Sequence, residues 1–429
     1  MRDIEWVKES VFYHIYPLGA FGCPRENKGK ETSGSRILKL IDWIPHLKEI
    51  GINAIYLGPI MESGTHGYDT IDYYKLDSRL GTNADFKRVV EECHDNGIKV
   101  VLDGVFNHVG RGHIAFLDVL KNRENSSYKE WIAGLNFGSN NWHNDGFSYE
   151  CWSGAEELVK LNHWCEAVDN HILNAVGMWI DEFDIDGLRL DAADCIERGF
   201  FKRLKAFTEQ KKASFWLMGE IIHGDYNIYV NEEMLDAVTN YECWKGIYSS
   251  HNDHNYFEIN YAMKRQWGQG GLYRGKYLYN FVDNHDVNRI ATLLKEKENI
   301  YPTYTLLFSM PGIPSIYYGS EWAIEGDKTK GDGDYSLRPE LDIEKLSNPD
   351  LLEHIKTLSE IRKNSIPLKE GIYEEVQVRN ETLVFARVKG DKYVIVALNN
   401  TKDKKPLSFD YRGQHYDIEL EPHGSKIFR

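Results

Sequence analysis

Short runs of β-branched and aromatic residues recur along most of this chain, each followed by a longer stretch with helical spacing of its apolar residues. A helix that follows a strand returns the chain to the same end of the sheet, so the next strand pairs in parallel. Eight such runs are present: Val11 to Tyr16, Ala54 to Leu57, Lys99 to Leu102, Asp186 to Leu190, Phe215 to Met218, Ala237 to Thr239, Tyr277 to Phe281 and Ser315 to Tyr317. Eight parallel strands with intervening helices close on themselves, and the sequence therefore predicts an α/β fold, a (β/α)8 TIM barrel.

Two segments break the alternation. Between the third and fourth strands, Val109 to Cys165 is rich in Asn, Gly, Trp and His and poor in periodicity, which predicts a small inserted domain with a functional surface. After Pro367 the pattern becomes that of antiparallel strands, as in Leu383 to Val388 and Tyr393 to Asn399, which predicts a C-terminal antiparallel β domain. The expected division is 1–108 and 166–367 for the barrel, 109–165 for the insertion and 368–429 for the β domain. With no flexible linker in the chain, these parts are expected to pack directly on one another.

Composition narrows the ligand. A formal net charge of −15 argues against nucleic acid or an anionic membrane surface as partner, since both reward a basic patch. The 13% of aromatic residues suits stacking on sugars, and it suits a large barrel core equally well. Six scattered cysteines without a C-x-x-C pair read as buried thiols of a reducing compartment. The first residues, Met1 to Tyr16, carry charges among their apolar positions, and no stretch approaches a membrane span. A cytoplasmic protein is expected.

Four segments end predicted strands: Asp103-Gly-Val-Phe-Asn-His108, Gly187-Leu-Arg-Leu-Asp191, Met218-Gly-Glu220 and Phe281-Val-Asp-Asn-His-Asp286. In a parallel barrel the carboxyl ends of the strands converge on one mouth, so these acids and histidines share a pocket. Arg189 and Asp191 are two residues apart and face the same way on an extended strand. The guanidinium is expected to lower the Asp191 pKa and keep that carboxylate ionised as a nucleophile. Glu220 follows the apolar run Phe215-Trp-Leu-Met218, surroundings that raise a carboxyl pKa and suit a proton donor. Such a pair is what retaining glycoside hydrolysis needs, with Asp286, His108 and His285 placed to hold the sugar ring. Each residue alone has a plainer structural explanation. Their joint occurrence at strand ends, in this order, favours the catalytic one.

At these residues the chain resembles the α-amylase family, whose four conserved regions the four segments match in order and spacing. The resemblance implies Asp191 as nucleophile, Glu220 as acid/base and Asp286 as transition-state stabiliser, with Arg189, His108, His285 and Asp103 in support. It implies Tyr68, in His66-Gly-Tyr-Asp69, as the platform under the sugar at the cleavage point. Gly312-Ile-Pro-Ser-Ile-Tyr-Tyr-Gly319 is similar to the family's eighth strand, and Asp334 and Arg338 resemble its pair near the next sugar. Leu158-Val-Lys-Leu-Asn162 and Gly219-Glu-Ile-Ile-His223 resemble the M-P-K-L-N and G-E-I-W-H motifs of neopullulanases, cyclomaltodextrinases and maltogenic amylases, which adds Lys160 and His223 as substrate-binding candidates. Val159 and Ile222 depart from those motifs.

The expected reaction is hydrolysis of α-1,4 glucosidic bonds of maltooligosaccharides through a covalent intermediate, with α-1,6 bonds left open as a further target. The expected partner is an α-glucan oligosaccharide. Transfer between glucans, specificity for sucrose, trehalose or isomaltose, and a non-catalytic binding role are the alternatives. No cofactor is expected to be required. Asn107 matches a calcium-ligand position of many family members, but Cys23 to Gly29 lacks the acidic calcium loop. Ala192-Ala-Asp-Cys195 lacks the Lys-His that many starch-cleaving relatives carry after the nucleophile, and with a first strand predicted at Val11 the extra amino-terminal domain of the subgroup is expected to be absent.

Overall fold

All eight predicted runs are strands of one parallel sheet in the computed structural model, which describes residues 4–29 and 34–429. Residues 1–3 and 30–33 of the expected barrel segment lie outside that range. The strands are β1 (Phe12–Ile15), β2 (Ala54–Leu57), β3 (Lys99–Gly104), β4 (Gly187–Leu190), β5 (Trp216–Gly219), β6 (Ala237–Val238), β7 (Tyr279–Phe281) and β8 (Ile313–Tyr317). Their order is β6-β5-β4-β3-β2-β1-β8-β7, and a parallel bridge between Thr239 and Tyr279 joins β6 to β7 and closes the barrel.

Alternation along each strand sorts the side chains that point inward. Phe12, Ala54, Val101, Trp216, Ala237, Tyr279 and Ile313 fill the barrel as a cluster separate from the core beneath the helices. Gly187 belongs to this layer by its register with Val101 and Trp216, and a Cβ there would stand 2.6 Å from the Trp216 carbonyl oxygen, so the neighbouring backbone leaves room only for glycine. One inward step further along, β1 to β4 present His14, Tyr56, Asp103 and Arg189. The apolar fill thus gives way to polar side chains at the carboxyl ends.

The helices follow from local signals. Asn83–Asp95 starts at a capping box, with the Asp85 N–H donating to Thr82 at 3.2 Å and the Thr82 N–H donating back to Asp85 at 2.9 Å. It buries Phe86, Val89, Val90 and Cys93, a single stripe at helical spacing.

Some strand limits differ from expectation. Asp186 stands outside β4 because its carboxylate is a junction, accepting from the Val100 N–H at 3.0 Å, from Lys99 at 2.9 Å and from His94 at 2.7 Å. The β3 ladder runs on to Gly104 and carries Asp103 within it. The cysteines also differ: all six are free thiols, but only Cys93 and Cys243 are buried, and Cys195 is exposed, since it lies in a turn after β4 rather than in a packed element.

Between β3 and β4 the chain forms the helix Ile114–Asn122 and a three-stranded antiparallel sheet of His108–Gly110, Ala155–Lys160 and Cys151–Trp152. Beyond the barrel, β9 (Ile372–Val378), β10 (Thr382–Lys389) and β11 (Lys392–Asn399) make an antiparallel sheet with Ser425–Phe428. Two buried arginines brace the junction between this sheet and the barrel. Arg387 donates to the carbonyls of Gly371 and Ser309, and Arg362 to those of Phe308, Leu368 and Gly312. Phe308 and Ser309 end the helix Ile300–Ser309, where unpaired carbonyls and the helix dipole both attract a cation. Burial still lowers the Arg362 guanidinium to about 10.

The long connection from β2 to the following helix is braced by a buried ion pair. Arg79 grips both oxygens of Asp77 at 2.8 and 2.7 Å and also donates to the carbonyls of Pro24, Arg25 and Thr65. Arg79→Met is expected to leave the Asp77 carboxylate buried and unpaired, at a cost of about 3–5 kcal/mol. A thermal unfolding scan of the variant should show a melting temperature several degrees lower.

Candidate active site

Sheet register assembles the site. Asp103 is the register partner of Arg189 across β3 and β4, and Met218 is its partner across β4 and β5. The Asp191 N–H continues the ladder to Gly104 at 3.1 Å and the Glu220 N–H to Leu190 at 2.9 Å, so both acids leave their strands at one level. Arg189 Nη1 then reaches Asp103 and Asp191, each at 2.9 Å, and Nη2 reaches Glu220 at 2.8 Å. One buried guanidinium serves three carboxyl groups on three adjacent strands.

Further hydrogen bonds fix each acid. Asp103 accepts from Tyr56 at 2.7 Å and Tyr68 at 3.1 Å, and the Tyr68 hydroxyl also meets His285, on whose ring it is stacked. Glu220 accepts from the Ala192 N–H at 3.0 Å and from Tyr241 at 3.4 Å, and Tyr241 is itself held by Asn284 at 3.0 Å. Ala192 adopts a left-handed conformation at φ 44°, which is uncommon for a residue with a Cβ. That backbone turn aims its N–H at Glu220. Asp286 lies between Arg338 Nη2 and His285 Nε2, each at 3.0 Å, and Arg338 also approaches Asp334 at 3.8 Å.

Of these groups Asp191, Glu220, Asp286, Asp334 and Arg338 line a cleft of about 500 Å³ whose walls include Tyr68, Trp152, Tyr241 and Trp244. Burial raises the pKa of Glu220, against the pull of Arg189. Burial raises Asp191 as well, and the neighbouring carboxyls Glu220, Asp103 and Asp286 add to it. The expectation that Arg189 holds Asp191 low is therefore corrected. A single cation shared among three acids does not offset desolvation and their mutual repulsion. The histidines move the other way: burial pushes His108 down to about 4 and His285 well below its usual value. Both are neutral imidazoles. His108 Nε2 is buried without a hydrogen-bond partner on a residue that lines the cleft, which leaves it open to a ligand's hydroxyl groups.

Ten of the sequence candidates thus meet in one place: Asp191, Glu220, Asp286, Tyr68, Asp103, His108, Arg189, His285, Asp334 and Arg338. Two do not. Lys160 pairs with Glu150 at 3.1 Å and lines a neighbouring cleft, and His223 is exposed beyond β5, outside the lining of the catalytic one. Asn107 donates to His108 and keeps Oδ1 buried and unpartnered. Among the described residues no group of three or more acidic, histidine or cysteine side chains gathers to hold a metal. Tyr56, Tyr241 and Lys328 were not legible as site residues. Tyr56 had one usable signal, its place two residues along β2 from inward-facing Ala54.

A barrel with paired buried carboxyls and an aromatic-walled cleft at its carboxyl-end mouth has the architecture of a glycosidase. Residues 38–349 match the model of the α-amylase catalytic domain, and the chain belongs to the α-amylase family of glycoside hydrolases. It is 28% identical over 419 residues to a cyclomaltodextrinase of a Bacillus species, covering 92% of this chain and 74% of that one. With a maltogenic α-amylase of Bacillus acidopullulyticus it shares 30% identity over 436 residues, covering 95% and 72%. The fold is similar to that of a cyclic α-maltosyl-(1→6)-maltose hydrolase from Arthrobacter globiformis in complex with its named substrate, at a TM-score of 0.86 with 26% identity and full coverage of both chains.

Arg189→Lys is expected to lower kcat/KM by at least about 100-fold, because a lysine is a point charge that cannot span three carboxyls. The remaining activity should show its acid limb at higher pH than the native enzyme, as a weaker cation leaves the acids higher still. A pH series of kcat/KM for both proteins checks the direction.

Proposed function

We propose that this chain is a retaining hydrolase of α-1,4 and α-1,6 glucosidic bonds in short maltodextrins, acting in the cytoplasm. The single observation that carries the reading is the pair of buried carboxyls, Asp191 and Glu220, held by the two ends of one guanidinium in an aromatic-walled cleft. Close carboxyl groups are what double displacement requires, since no water needs to stand between the sugar and the attacking acid. The substrate class is supported by the relatives named above and by a neopullulanase of Thermoactinomyces vulgaris at 30% identity. The location is supported by a relative described as an intracellular maltogenic amylase from Bacillus subtilis, and no helix among the described residues is long and apolar enough to cross a membrane.

The roles follow those that the family resemblance implies. Asp191 attacks the anomeric carbon and forms the ester while Glu220 gives its proton to the departing glycosidic oxygen. Water then attacks the same carbon, Glu220 takes the water's proton, and Asp191 leaves as carboxylate. Asp286 and the neutral imidazoles of His108 and His285 hold hydroxyls of the ring, and Tyr68 lies under it. Positive charge that grows on the ring is met by the surrounding acids.

Asp191→Asn is expected to reduce turnover of maltotriose by at least about 1,000-fold. With the native enzyme, the first product seen by proton NMR should keep the α configuration, and a β product would overturn the double displacement. Glu220→Gln tests the acid. On 4-nitrophenyl α-maltoside, whose leaving group needs little protonation, the variant should keep the acid limb of its pH profile and lose the alkaline one.

A further inference from the structure

At the amino ends of β7 and β8, the end of the barrel opposite the catalytic mouth, lies a cavity of about 440 Å³. Tyr277 and Gly312 reach it from the barrel, just before β7 and β8, while Gly371, Val388 and Gly390 wall it from the β domain. Its charge runs against that of the chain. Arg274, Lys276, Lys369, Arg387 and Lys389 line it, and Glu370 is the one acid among its described lining residues. Lys389 pairs with Glu370 at 2.9 Å and Lys369 with Glu9 at 2.6 Å, so five cations meet two carboxylates in a chain of net charge −15.

Arg387 has the least relief of the five. It is fully buried, with Nε and Nη2 donating to the Gly371 carbonyl at 3.2 and 2.8 Å and Nη1 to that of Ser309. A guanidinium carries five N–H donors, so these three bonds leave two of them over. Among the described residues no carboxylate pairs with it. Burial pushes its pKa well below the ordinary value, and the neighbouring Arg362 guanidinium pushes it further. A buried cation held only by carbonyl dipoles is stabilised by an anion that can reach it. Arg274 is exposed at the same cavity and has no ion-pair partner among the described residues.

The charge and the volume define the ligand. A phosphate group carries nearly two negative charges and three or more acceptor oxygens, and guanidinium forks match its geometry. A carboxylate offers one charge and two oxygens. The cavity also falls within the range of small-molecule sites, roughly 300–1,000 Å³, and Trp267, Tyr277 and Ile372 give it apolar walls beside the cations.

We propose that this cavity binds a phosphate group, carried by inorganic phosphate or by a phosphorylated sugar, at the junction of the barrel base with the β domain. Occupancy stabilises the fold by mass action and leaves the catalytic cleft at the other end free for its own ligand.

Calorimetric titrations at fixed ionic strength with inorganic phosphate and with glucose 6-phosphate test the site. They compare the native protein, Arg274→Ala/Lys389→Ala and Lys345→Ala/Lys404→Ala. Arg274 and Lys389 are exposed, so the first variant keeps its fold, and Lys345 and Lys404 are exposed lysines away from the cavity that match the change in charge. The native protein should bind saturably and melt about 2–4 °C higher at saturation. Arg274→Ala/Lys389→Ala should raise Kd at least about tenfold, and the control variant should stay within about twofold. Equal or tighter binding of inorganic phosphate assigns the free ion, tighter binding of glucose 6-phosphate assigns the ester, and each supports the site. No saturable binding of either probe, an unchanged Kd in Arg274→Ala/Lys389→Ala, or an equal loss in the control overturns it. Displacement of glucose 6-phosphate by excess maltose would place that ligand in the catalytic cleft and overturn the assignment as well.

Discussion

The Arg189 guanidinium joins the ends of β3, β4 and β5 through Asp103, Asp191 and Glu220, and the geometry of the mouth depends on it. A buried cation is costly unless its donors are all used, and here burial is opposed by Asp103 and Glu220, which hold the Arg189 pKa well above its usual value. The converse matters more for chemistry. Three acids on one cation leave negative charge that the site cannot dissipate into water, and the raised Asp191 and Glu220 are its consequence. The ion cluster costs stability and supplies reactivity from the same burial.

What the register places, the loops complete. The Asp286 segment is locked from behind: Arg289, fully buried, donates to Tyr318 at 2.6 Å and to Leu337 at 2.9 Å, and Asp283 accepts from the Ile290 N–H at 2.8 Å and from Ser320 at 2.7 Å. Leu337 adjoins Arg338, which bonds both Asp286 and the His285 carbonyl. The loops after β7 and β8 are thus one braced unit. Lys328 closes it by donating to the Asp286 carbonyl at 2.7 Å. Tyr68 arrives from the β2 side, on a segment held by the Asp77–Arg79 pair.

The sequence made the barrel legible because inward and outward residues alternate on every strand and each strand is followed by a helical period. Site residues within strands or one residue past them were legible for the same reason: Asp103, Arg189, Asp191 and Glu220 take their direction from the pleat. Protonation was not. Arg189 two residues before Asp191 suggests a lowered pKa, but burial and the acids on β3 and β5 are facts of register and packing, and they reverse the sign. Tyr241 and Lys328 carry no local motif, and their roles arise from Asn284 and Asp286, which are distant in sequence. Lys160 and His223 read alike as motif members, yet the structure sets Lys160 in an adjoining cleft and leaves His223 in solvent.

Charge connects the site to the chain as a whole. At the mouth, acidic side chains outnumber the cations, since Asp103, Asp191, Glu220, Asp286 and Asp334 face Arg189, Arg338 and Lys328. An anionic substrate would meet this excess as repulsion in its ground state, in keeping with a chain of net charge −15. A neutral sugar meets no such barrier. Only when its ring becomes oxocarbenium-like does it carry positive charge, and only then does the excess act on it. Under the proposed function the same acids bind the ground state weakly and the transition state strongly, and this difference is what would accelerate bond cleavage.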